Sequence, residues 1–290
     1  MKSIGIDIGG TQLRAAIFDE EFKQIGVFKT DNDRSLTAEQ NMDKLLDYLM
    51  DQDYHFSGIG IGCPGPLNIR LGKVLNPPNL VGWDNFEIVK YVEEKTHLKT
   101  YLNNDANVAG LAEAKLGSGA GFESVVFMGI STGIGGAYVY KNELVNGANS
   151  NAAEFWNMIV NEDEYCHKNA NPGSLNEQAS GSALTRIAAE TYGEGKEAKD
   201  LFEYYHQNDS KAEEIVEQAA GVLAKGIANI TNIIDPDIII IGGSVALHNV
   251  DFVENIIEKS KQYITSPEFL HVELAQYGDD AGLYGAALLA

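Results

Sequence analysis

The sequence predicts an α/β protein in which helices cover the faces of mixed or parallel sheets. Strand-like and helix-like segments alternate along the 290 residues, as they do in such folds. The composition agrees, because 44% hydrophobic residues with 30 glycines are typical of an α/β chain. Glycine pairs also follow several apolar strands. A chain of this length forms one large domain or two ordinary ones.

Two apolar stripes at helical spacing predict core helices. The first stripe consists of Met42, Leu45, Leu46, Leu49 and Met50. The second runs from Ile215 to Ile234 and ends at Asp235-Pro236, a typical helix stop. The unbroken β-branched run 238–241 that follows indicates a fully buried strand. We expect these segments to form core without special chemistry.

Two segments match at Ile-Gly-Gly and indicate an internal duplication. They are Asp7-Ile8-Gly9-Gly10-Thr11 and Gly133-Ile134-Gly135-Gly136-Ala137, each between two β-rich runs. Either copy alone fits an ordinary hairpin in which glycine supplies positive φ. Two copies with carboxylate or hydroxyl neighbours favour a pair of phosphate-binding turns. A further pair, Gly242-Gly243, follows the buried strand.

The charge balance limits the classes of partner. Asp and Glu number 42 against 21 Lys and Arg, so the formal net charge is −21, and the acidic residues are dispersed. Such a surface repels polyanions, which argues against nucleic acid or an anionic membrane as the main partner. A phosphate ligand would need local donors such as backbone N–H groups, helix N-termini or a divalent cation.

The start of the chain and its cysteines predict a cytoplasmic protein. Met1-Lys2-Ser3 enters a strand at once, without the pattern of a signal peptide. No apolar run approaches the roughly 20 residues of a membrane helix. Cys63 and Cys166 are too few for a disulfide framework, so we expect reduced thiols.

Several familiar motifs are absent or lack their context. The sequence contains no G-x-x-x-x-G-K-[ST], and therefore no Walker-type loop. Residues 60–65 satisfy G-x-G-x-x-G, but no amphipathic helix begins after them, as a dinucleotide-binding turn requires. The 6 histidines lie outside the glycine turns, which disfavours a nucleophilic triad.

Asn103, Asn104 and Asp105 stand between an apolar strand and a helix predicted from Asn107 to Leu116. Asp and Asn side chains accept hydrogen bonds from the N–H groups that open a helix. From these residues alone, helix capping is the favoured interpretation.

Six motifs together resemble the ROK-family sugar kinases, in the family's order and over essentially the whole chain. They are Asp7-Ile8-Gly9-Gly10-Thr11, Cys63-Pro64-Gly65-Pro66, Asn79-Leu80-Val81-Gly82-Trp83, Asn104-Asp105-Ala106-Asn107, Thr132-Gly133-Ile134-Gly135-Gly136 and Gly242-Gly243. Each motif alone is weak, whereas the combination is specific.

The resemblance implies a two-domain actin-like, ribonuclease H-like ATPase fold with an interdomain cleft where sugar and ATP meet. The smaller α/β domain is expected at 1–117, rejoined by the C-terminal helix at about 279–290. The larger α/β domain is expected at 118–278, and a composition shift near 115–123 fits that boundary. Members of the family are usually homodimers, so a homodimer is expected here.

The resemblance further implies an ATP- and Mg²⁺-dependent kinase that phosphorylates the 6-hydroxyl of glucose or a related sugar. Asp105 would be the general base, and Asp7 would hold Mg²⁺ directly or through water. Capping and catalysis at Asp105 are compatible, because a helix N-terminus favours the charged carboxylate that accepts a proton. The alternative for Asp7 is a turn-forming carboxylate.

The same resemblance assigns the binding residues. Those for the nucleotide are Gly9, Gly10, Thr11, Thr132, Gly133, Gly135, Gly136, Gly242 and Gly243. Those for the sugar are Gly65, Asn79, Asn104, Glu154, Asn157, Asn176 and Glu177. Counting back from Ala179-Ser180-Gly181 places Asn176, rather than Glu177, at the family's second sugar-binding glutamate. Trp83 is expected to pack beside the sugar residues.

The chain departs from the zinc-binding pattern of many family members. Asn157 stands at the family's histidine and Ser174 at its last cysteine, which leaves Cys166 and His167 as two soft ligands. Two ligands do not close a tetrahedral site, so we expect no structural zinc and a loosely braced loop at 161–173. An uncharged, loosely braced edge predicts tolerance of a 2-acetamido group or a C1 substituent.

Two other functions are compatible with the resemblance. The first is an N-acetylmannosamine or β-glucoside kinase, because family kinases for both also lack the cysteine run. The second is a sugar-binding regulatory protein without catalysis, which an ATP-turnover assay would distinguish from an enzyme. A DNA-binding repressor of the family is disfavoured, since the first glycine turn begins at residue 7 and leaves no room before it for a helix-turn-helix.

Overall fold

The computed structural model describes residues 1–167 and 170–290, and it confirms the predicted α/β class. The chain divides into two units, each built on its own sheet. The first unit comprises Met1–Gly117, Asn142–Ala152 and Asp279–Ala290, and the second comprises Ser118–Lys141 and Ala153–Gly278. No helix within the described residues is long and apolar enough to cross a membrane.

The first unit combines strands with helices that pack on its main sheet. Its strands are β1 (Lys2–Ile8), β2 (Gln12–Phe18), β3 (Gln24–Asp31), β4 (Phe56–Cys63), β5 (Leu67–Asn68), β6 (Lys73–Val74), β7 (Thr100–Asn104) and the short β10 (Glu143–Leu144). Its helices are α1 (Ala38–Met50), α2 (Ile88–Thr96), α3 (Asp105–Lys115) and α10 (Ala281–Ala287).

The main sheet of this unit has the order β3-β2-β1-β4-β7. β1 and β2 form an antiparallel hairpin around the first glycine turn, and β1, β4 and β7 run parallel. The carboxyl ends of these three strands therefore lie along one edge of the sheet, where ligands of open α/β sheets bind.

Three glycines let α10 pack directly on this sheet and on α3. A Cβ at Gly5 or Gly60 would collide with a backbone carbonyl of α10, and one at Gly285 would collide with the carbonyl of Val108 in α3. Glycine is required at such close backbone approaches. This packing holds the C-terminal segment in the first unit.

The second unit repeats the hairpin and parallel-strand arrangement. Its strands are β8 (Ser124–Ile130), β9 (Ile134–Tyr140), β11 (Ile238–Gly242) and β12 (Val272–Leu274). Its helices are α4 (Leu175–Ala179), α5 (Gly181–Tyr192), α6 (Ala198–His206), α7 (Ser210–Ile234), α8 (Ser244–Leu247) and α9 (Val250–Ser260). β8 and β9 are antiparallel, whereas β8, β11 and β12 are parallel. Both predicted glycine hairpins are thus confirmed.

The predicted core segments are also confirmed, except at Met50, which is 39% exposed at the end of α1. In α1, Met42, Leu45, Leu46 and Leu49 are buried, and Thr37 with Gln40 forms a capping box at its start. α7 ends at Asp235, whose φ of 52° is left-handed, and Pro236 follows. Every residue of β11 is buried, as its β-branched composition requires. Trp83 is fully buried in the core of the first unit, which confirms its packing role.

The segment 142–152 differs from the predicted division, which places it in the larger domain. In the structure it belongs to the first unit. Two hydrogen bonds explain this placement: Asn103 Nδ2 donates to Asn146 Oδ1 at 2.9 Å, and Arg70 donates to the carbonyl of Ala148 at 2.6 Å. Neither pairing is visible in local sequence.

Candidate functional site

Two predicted site carboxylates of the first unit lie on either side of β4, one near the end of β1 and the other directly after β7. Asp7 pairs with Gly62 across β1 and β4, and Cys63 pairs with Asn104 across β4 and β7. Asp105 follows at once as the first residue of α3. The parallel register therefore brings Asp7, Asn104 and Asp105 to the same sheet edge.

The corner between β7 and α3 is built as a helix cap. Asn104 is the N-cap residue, with extended φ and ψ of −66° and 146°. Its Oδ1 accepts a hydrogen bond from the N–H of Ala106 at 3.0 Å, and Asp105 Oδ1 accepts from the same group at 2.8 Å. Capping thus belongs mainly to Asn104, while Asp105 places its charge at the helix N-terminus, where the helix dipole favours an anion.

Asp7 is paired with an arginine that the sequence analysis did not single out. Arg14 Nε and Nη2 donate to Asp7 Oδ2 at 3.0 Å and 2.5 Å, because the hairpin register sets the two residues opposite each other. Arg14 also contacts Asp280 Oδ1 at 3.3 Å and the carbonyl of Asp279 at 2.6 Å. A charged residue inside an otherwise apolar strand was the available signal for this pair.

The first glycine turn is held by Asn32, another residue that the sequence analysis missed. The turn closes by a bond from the N–H of Gly9 to the carbonyl of Gln12 at 2.9 Å. Asn32 Nδ2 donates to the carbonyl of Gly9 at 2.9 Å, and its N–H donates to the carbonyl of Thr11 at 2.9 Å. Trp83 Nε1 in turn donates to Asn32 Oδ1 at 3.3 Å. The turn is therefore fixed from the core side.

Two of the predicted sugar residues lie beside residues of this edge. A Cβ at Gly10 would stand 2.9 Å from the carbonyl oxygen of Asn79. A Cβ at Gly65 would lie 3.6 Å from Asn104 Nδ2. The structure thus groups Gly10 with Asn79, and Gly65 with Asn104.

The second glycine turn is anchored by α4 and α5 of the second unit. Asn176 Oδ1 accepts from the N–H of Ile134 at 3.0 Å. The N–H groups of Gly181 and Ser182, which open α5, donate to the carbonyls of Ser131 at 2.8 Å and Thr132 at 3.0 Å. The Ser180-Gly181-Ser182 helix start was the missed signal here.

Gly243 and its neighbours lie beside the residues that lead into the second glycine turn. Ser131 Oγ and Ser244 Oγ are 3.0 Å apart, and β8 pairs with β11 at Gly129 and Gly242. Gly243 has a left-handed φ of 86° and would collide with the carbonyl of Ile130 if it carried a Cβ. The structure therefore places Gly243 and Ser244 beside Ile130 and Ser131, which directly precede Thr132.

Two glycines of the second turn differ in how closely they are packed. A Cβ at Gly136 would collide with the ring of Phe155 and the carbonyl of Ala153. By contrast, a Cβ at Gly133 would meet only Asn176 Oδ1, at 3.3 Å. Glycine at 136 is thus required by the fold, whatever it does for a ligand.

The acidic residues predicted for the sugar are placed differently from one another. Glu154 is exposed, and Trp156 Nε1 donates to its Oε2. Glu177 is only 8% exposed, and its Oε1 accepts from Asn176 Nδ2 at 3.1 Å. Asn176 therefore connects Glu177 to the second glycine turn.

The loop at 161–173 differs from the expected loose bracing. Asn157 Oδ1 accepts from the N–H of Asn171 at 2.7 Å, so the residue that stands at the family's histidine braces the loop. Asn161 Nδ2 donates to Gln178 Oε1 at 3.0 Å, and the guanidinium of Arg186 lies 3.8 Å from the Tyr165 ring centroid. Residues 168 and 169 lie outside the described part.

Among the residues that the structure describes, no three His, Cys, Asp or Glu side chains are grouped to hold a metal ion. The zinc expectation therefore stays a prediction that elemental analysis of the purified protein decides.

The two thiols have opposite environments. Burial raises the pKa of Cys63 well above its usual range, and the negative charges of Asp105 and Asp7 raise it further. Cys166 is exposed. Because the thiolate is the reactive form, Cys63 is chemically inert in the folded protein.

We expect a disulfide reagent such as Ellman's reagent to modify one thiol in the native protein and both thiols after denaturation. Cys166→Ser should abolish the native reaction, whereas Cys63→Ser should leave it unchanged. Equal rates for both thiols in the native protein would contradict the burial of Cys63.

Ala153, which precedes Glu154, has a left-handed φ of 61°. An L-residue pays about 1–2 kcal/mol in this conformation, more than the entropy that glycine costs. We expect Ala153→Gly to raise the free energy of unfolding by about 0.5–1 kcal/mol in urea denaturation. The matched control, Ala189→Gly within α5, should lower it by about 1 kcal/mol, and a destabilised Ala153→Gly would argue against the strain.

Comparison with known proteins agrees with this arrangement. The sequence profile of the ROK family matches residues 3–290. The N-acetylmannosamine kinase of Escherichia fergusonii is 32% identical over 295 residues, which cover 100% of this chain and 98% of that protein.

Two solved structures are similar over the whole chain. A ROK hexokinase from Thermus thermophilus has a TM-score of 0.93 and 32% identity, covering 100% of this chain and 98% of that one. A ROK-family glucokinase from Streptomyces griseus, solved with glucose and AMPPNP, has a TM-score of 0.81 and 29% identity, covering 100% and 99%.

The two hairpin-led sheets and these neighbours define the class as the actin-like ATPase fold of the sugar kinases. The chain belongs to the ROK family.

Proposed function

We propose that the protein is an ATP-dependent hexose kinase that transfers the γ-phosphoryl group to the 6-hydroxyl of glucose or a related sugar. The enzyme class, an ATP-dependent sugar kinase, is supported by family membership and by relatives named as kinases. The observation that carries the proposal is the placement of Asp105 at the start of α3, on the sheet edge that also holds Asp7.

Asp105 is the general base of this proposal. Transfer to a hydroxyl needs an acceptor for its proton, placement of the hydroxyl in line with the phosphoryl group, and positive charge near the phosphates. Asp105 accepts the proton of the 6-hydroxyl, while Asn104 and Gly65 contact neighbouring hydroxyls. Both Asn104 and Asp105 are held by the N–H of Ala106, so the base does not have to find its position during the reaction.

Asp7 has the donor chemistry that Mg²⁺ requires. Mg²⁺ is usually held by one or two carboxylates together with waters and substrate phosphates, so a single carboxylate fits without a larger protein cage. Asp7 would hold the ion, directly or through water, while Arg14 pairs with its Oδ2. When bound, Mg²⁺ neutralises phosphate charge that the acidic protein would otherwise repel.

Backbone donors of the two glycine turns bind the phosphates. Gly10 and Thr11 act from the first turn, which the N–H of Gly9 closes by its bond to Gln12, and Thr132, Gly133 and Gly135 act from the second. Gly242 and Gly243 contact the adenosine. Successive N–H groups in such turns bind anions without a lysine, which suits a chain of net charge −21.

The sugar residues leave a second candidate substrate open. N-acetylmannosamine is favoured by the similarity to the Escherichia fergusonii kinase. Asn79, Glu154, Asn176 and Glu177 supply the remaining polar contacts, whereas Asn157 acts through the loop that it braces. We place the enzyme in the cytoplasm as a homodimer, and sedimentation of the purified protein tests the dimer.

A substrate panel tests the proposal. ADP release should be measured with glucose, mannose, fructose, N-acetylmannosamine, N-acetylglucosamine and a β-glucoside, with and without Mg²⁺. We expect Mg²⁺-dependent turnover with glucose or a 2-acetamido relative. A folded protein that binds sugar but shows no sugar-dependent ADP release would instead be a regulatory sugar-binding protein.

A further inference from the structure

A chain of three asparagine side chains connects segment 142–152 to the helix that carries Asp105. Asn103 Nδ2 donates to Asn146 Oδ1 at 2.9 Å, and Asn107 Nδ2 donates to Asn103 Oδ1 at 2.9 Å. Asn103 Oδ1 also accepts from the N–H of Asn104 at 2.8 Å. Asn103 is 3% exposed and Asn107 is 7% exposed, and buried amides are retained where they have partners.

The orientation of the Asn103 amide follows from its neighbours. A backbone N–H can only donate, so the N–H of Asn104 fixes the carbonyl oxygen of Asn103 towards itself and towards Asn107. The NH₂ group of Asn103 must then point to Asn146, which acts as the acceptor. In the contact between Asn103 and Asn146, Asn103 is therefore the donor and Asn146 the acceptor.

Asn103 thus forms hydrogen bonds with residues on both sides of Asp105. It bonds the residue that precedes Asp105 and the residue two positions after it, which lies in the first turn of α3. Asn146 orients Asn103 from a segment that is anchored a second time, by the bond of Arg70 to the carbonyl of Ala148 at 2.6 Å.

We propose that Asn103 is a positioning residue for Asp105, and that Asn146 on segment 142–152 sets its orientation. The inference rests on the proposed role of Asp105 as the base. Without the acceptor on Asn146, the buried NH₂ group of Asn103 loses its hydrogen-bond partner, so the amide shifts and the start of α3 loses its fixed geometry. Displacement of a catalytic group by about 1 Å costs up to roughly 100-fold in rate.

The experiment exploits the difference between donor and acceptor. Asn146→Asp keeps an acceptor oxygen for Asn103, whereas Asn146→Leu removes it. We expect Asn146→Leu to lower kcat by about 10- to 100-fold with the KM for ATP unchanged, and Asn146→Asp to retain most of kcat. Asn103→Asp removes the donor and should behave like Asn146→Leu. Because Asn146 is only half-buried, its variants are expected to fold even if Asn103→Asp does not.

Asn41→Leu is the matched control, since Asn41 is 1% exposed and binds the carbonyls of Asp33 and Thr37 in the same unit. It should lower the melting temperature and leave kcat unchanged. A wild-type kcat for Asn146→Leu, or equal losses in Asn146→Leu and Asn146→Asp, would overturn the proposal. If Asp105→Asn is inactive in the same assay, such a result contradicts only the positioning role of Asn103. If Asp105→Asn is active, the proposed role of Asp105 as the base is itself contradicted.

Discussion

Asp105→Asn is expected to lower turnover by about two to four orders of magnitude while the KM for the sugar changes little. The amide keeps the size of the side chain and an oxygen that accepts from the N–H of Ala106, as Asp105 Oδ1 does at 2.8 Å. It cannot accept the proton of the sugar hydroxyl. Steady-state kinetics with saturating ATP and Mg²⁺ measures the effect.

The control for this variant is Asp209→Asn. Asp209 caps α7 by accepting from the N–H groups of Lys211 and Ala212, at 3.1 Å and 3.0 Å, so it is a helix-start aspartate without a proposed catalytic role. It should retain wild-type turnover. An Asp105→Asn enzyme with more than about a tenth of wild-type turnover would show that capping, and not proton transfer, explains Asp105.

Asp7→Asn is expected to lower kcat/KM for ATP by roughly 100- to 1,000-fold, the scale on which one electrostatic contact in an active site acts. The amide oxygen still accepts from Arg14, so the fold of the hairpin should persist. The lost negative charge weakens the attraction for Mg²⁺, so half-maximal activity should require more Mg²⁺. A Mg²⁺ titration at fixed ATP measures both effects.

Asp280→Asn distinguishes a role of Asp7 in binding Mg²⁺ from its role in the ion pair with Arg14. Asp280 is the other carboxylate on Arg14, at 3.3 Å, and its side chain is 53% exposed. Its loss should leave the Mg²⁺ dependence unchanged. If Asp7→Asn and Asp280→Asn alter the Mg²⁺ dependence equally, Asp7 acts by holding Arg14 and not by holding the ion.

Local patterns in the sequence were sufficient to predict several helices and strands of the fold. The spacing in α1 and α7, the β-branched run of β11 and the two glycine turns each depend on neighbouring residues only. Their positions along the chain, combined with the motifs, also predicted the ROK family, which the family match confirms. The residues proposed for catalysis and binding stay predictions.

The supporting contacts of the site could not be predicted because they join distant residues. Asn32 reaches Gly9 across 23 positions, and Asn103 reaches Asn146 across 43. Arg14 meets Asp7 only because of the hairpin register. Such pairs depend on which strands become neighbours, and composition does not encode that.

The loop at 161–173 illustrates the same limit. Its missing cysteines predicted that no metal braces it, but they did not predict the hydrogen bonds that the structure shows there. The bond from the N–H of Asn171 to Asn157 Oδ1 and the bond from Asn161 Nδ2 to Gln178 Oε1 have no sequence signature. The expected tolerance of a 2-acetamido group or a C1 substituent stays a prediction, which the substrate panel tests.

The position of the transferred phosphoryl group tests the central claim most directly. The product of the best sugar in the panel should be analysed by phosphorus and proton NMR, together with the ratio of ADP to sugar phosphate. We predict a sugar 6-phosphate, with phosphorus coupled to the protons on C6 and one ADP formed per sugar phosphate. Phosphorylation at C1, or release of inorganic phosphate without a sugar phosphate, would contradict Asp105 as the base for the 6-hydroxyl.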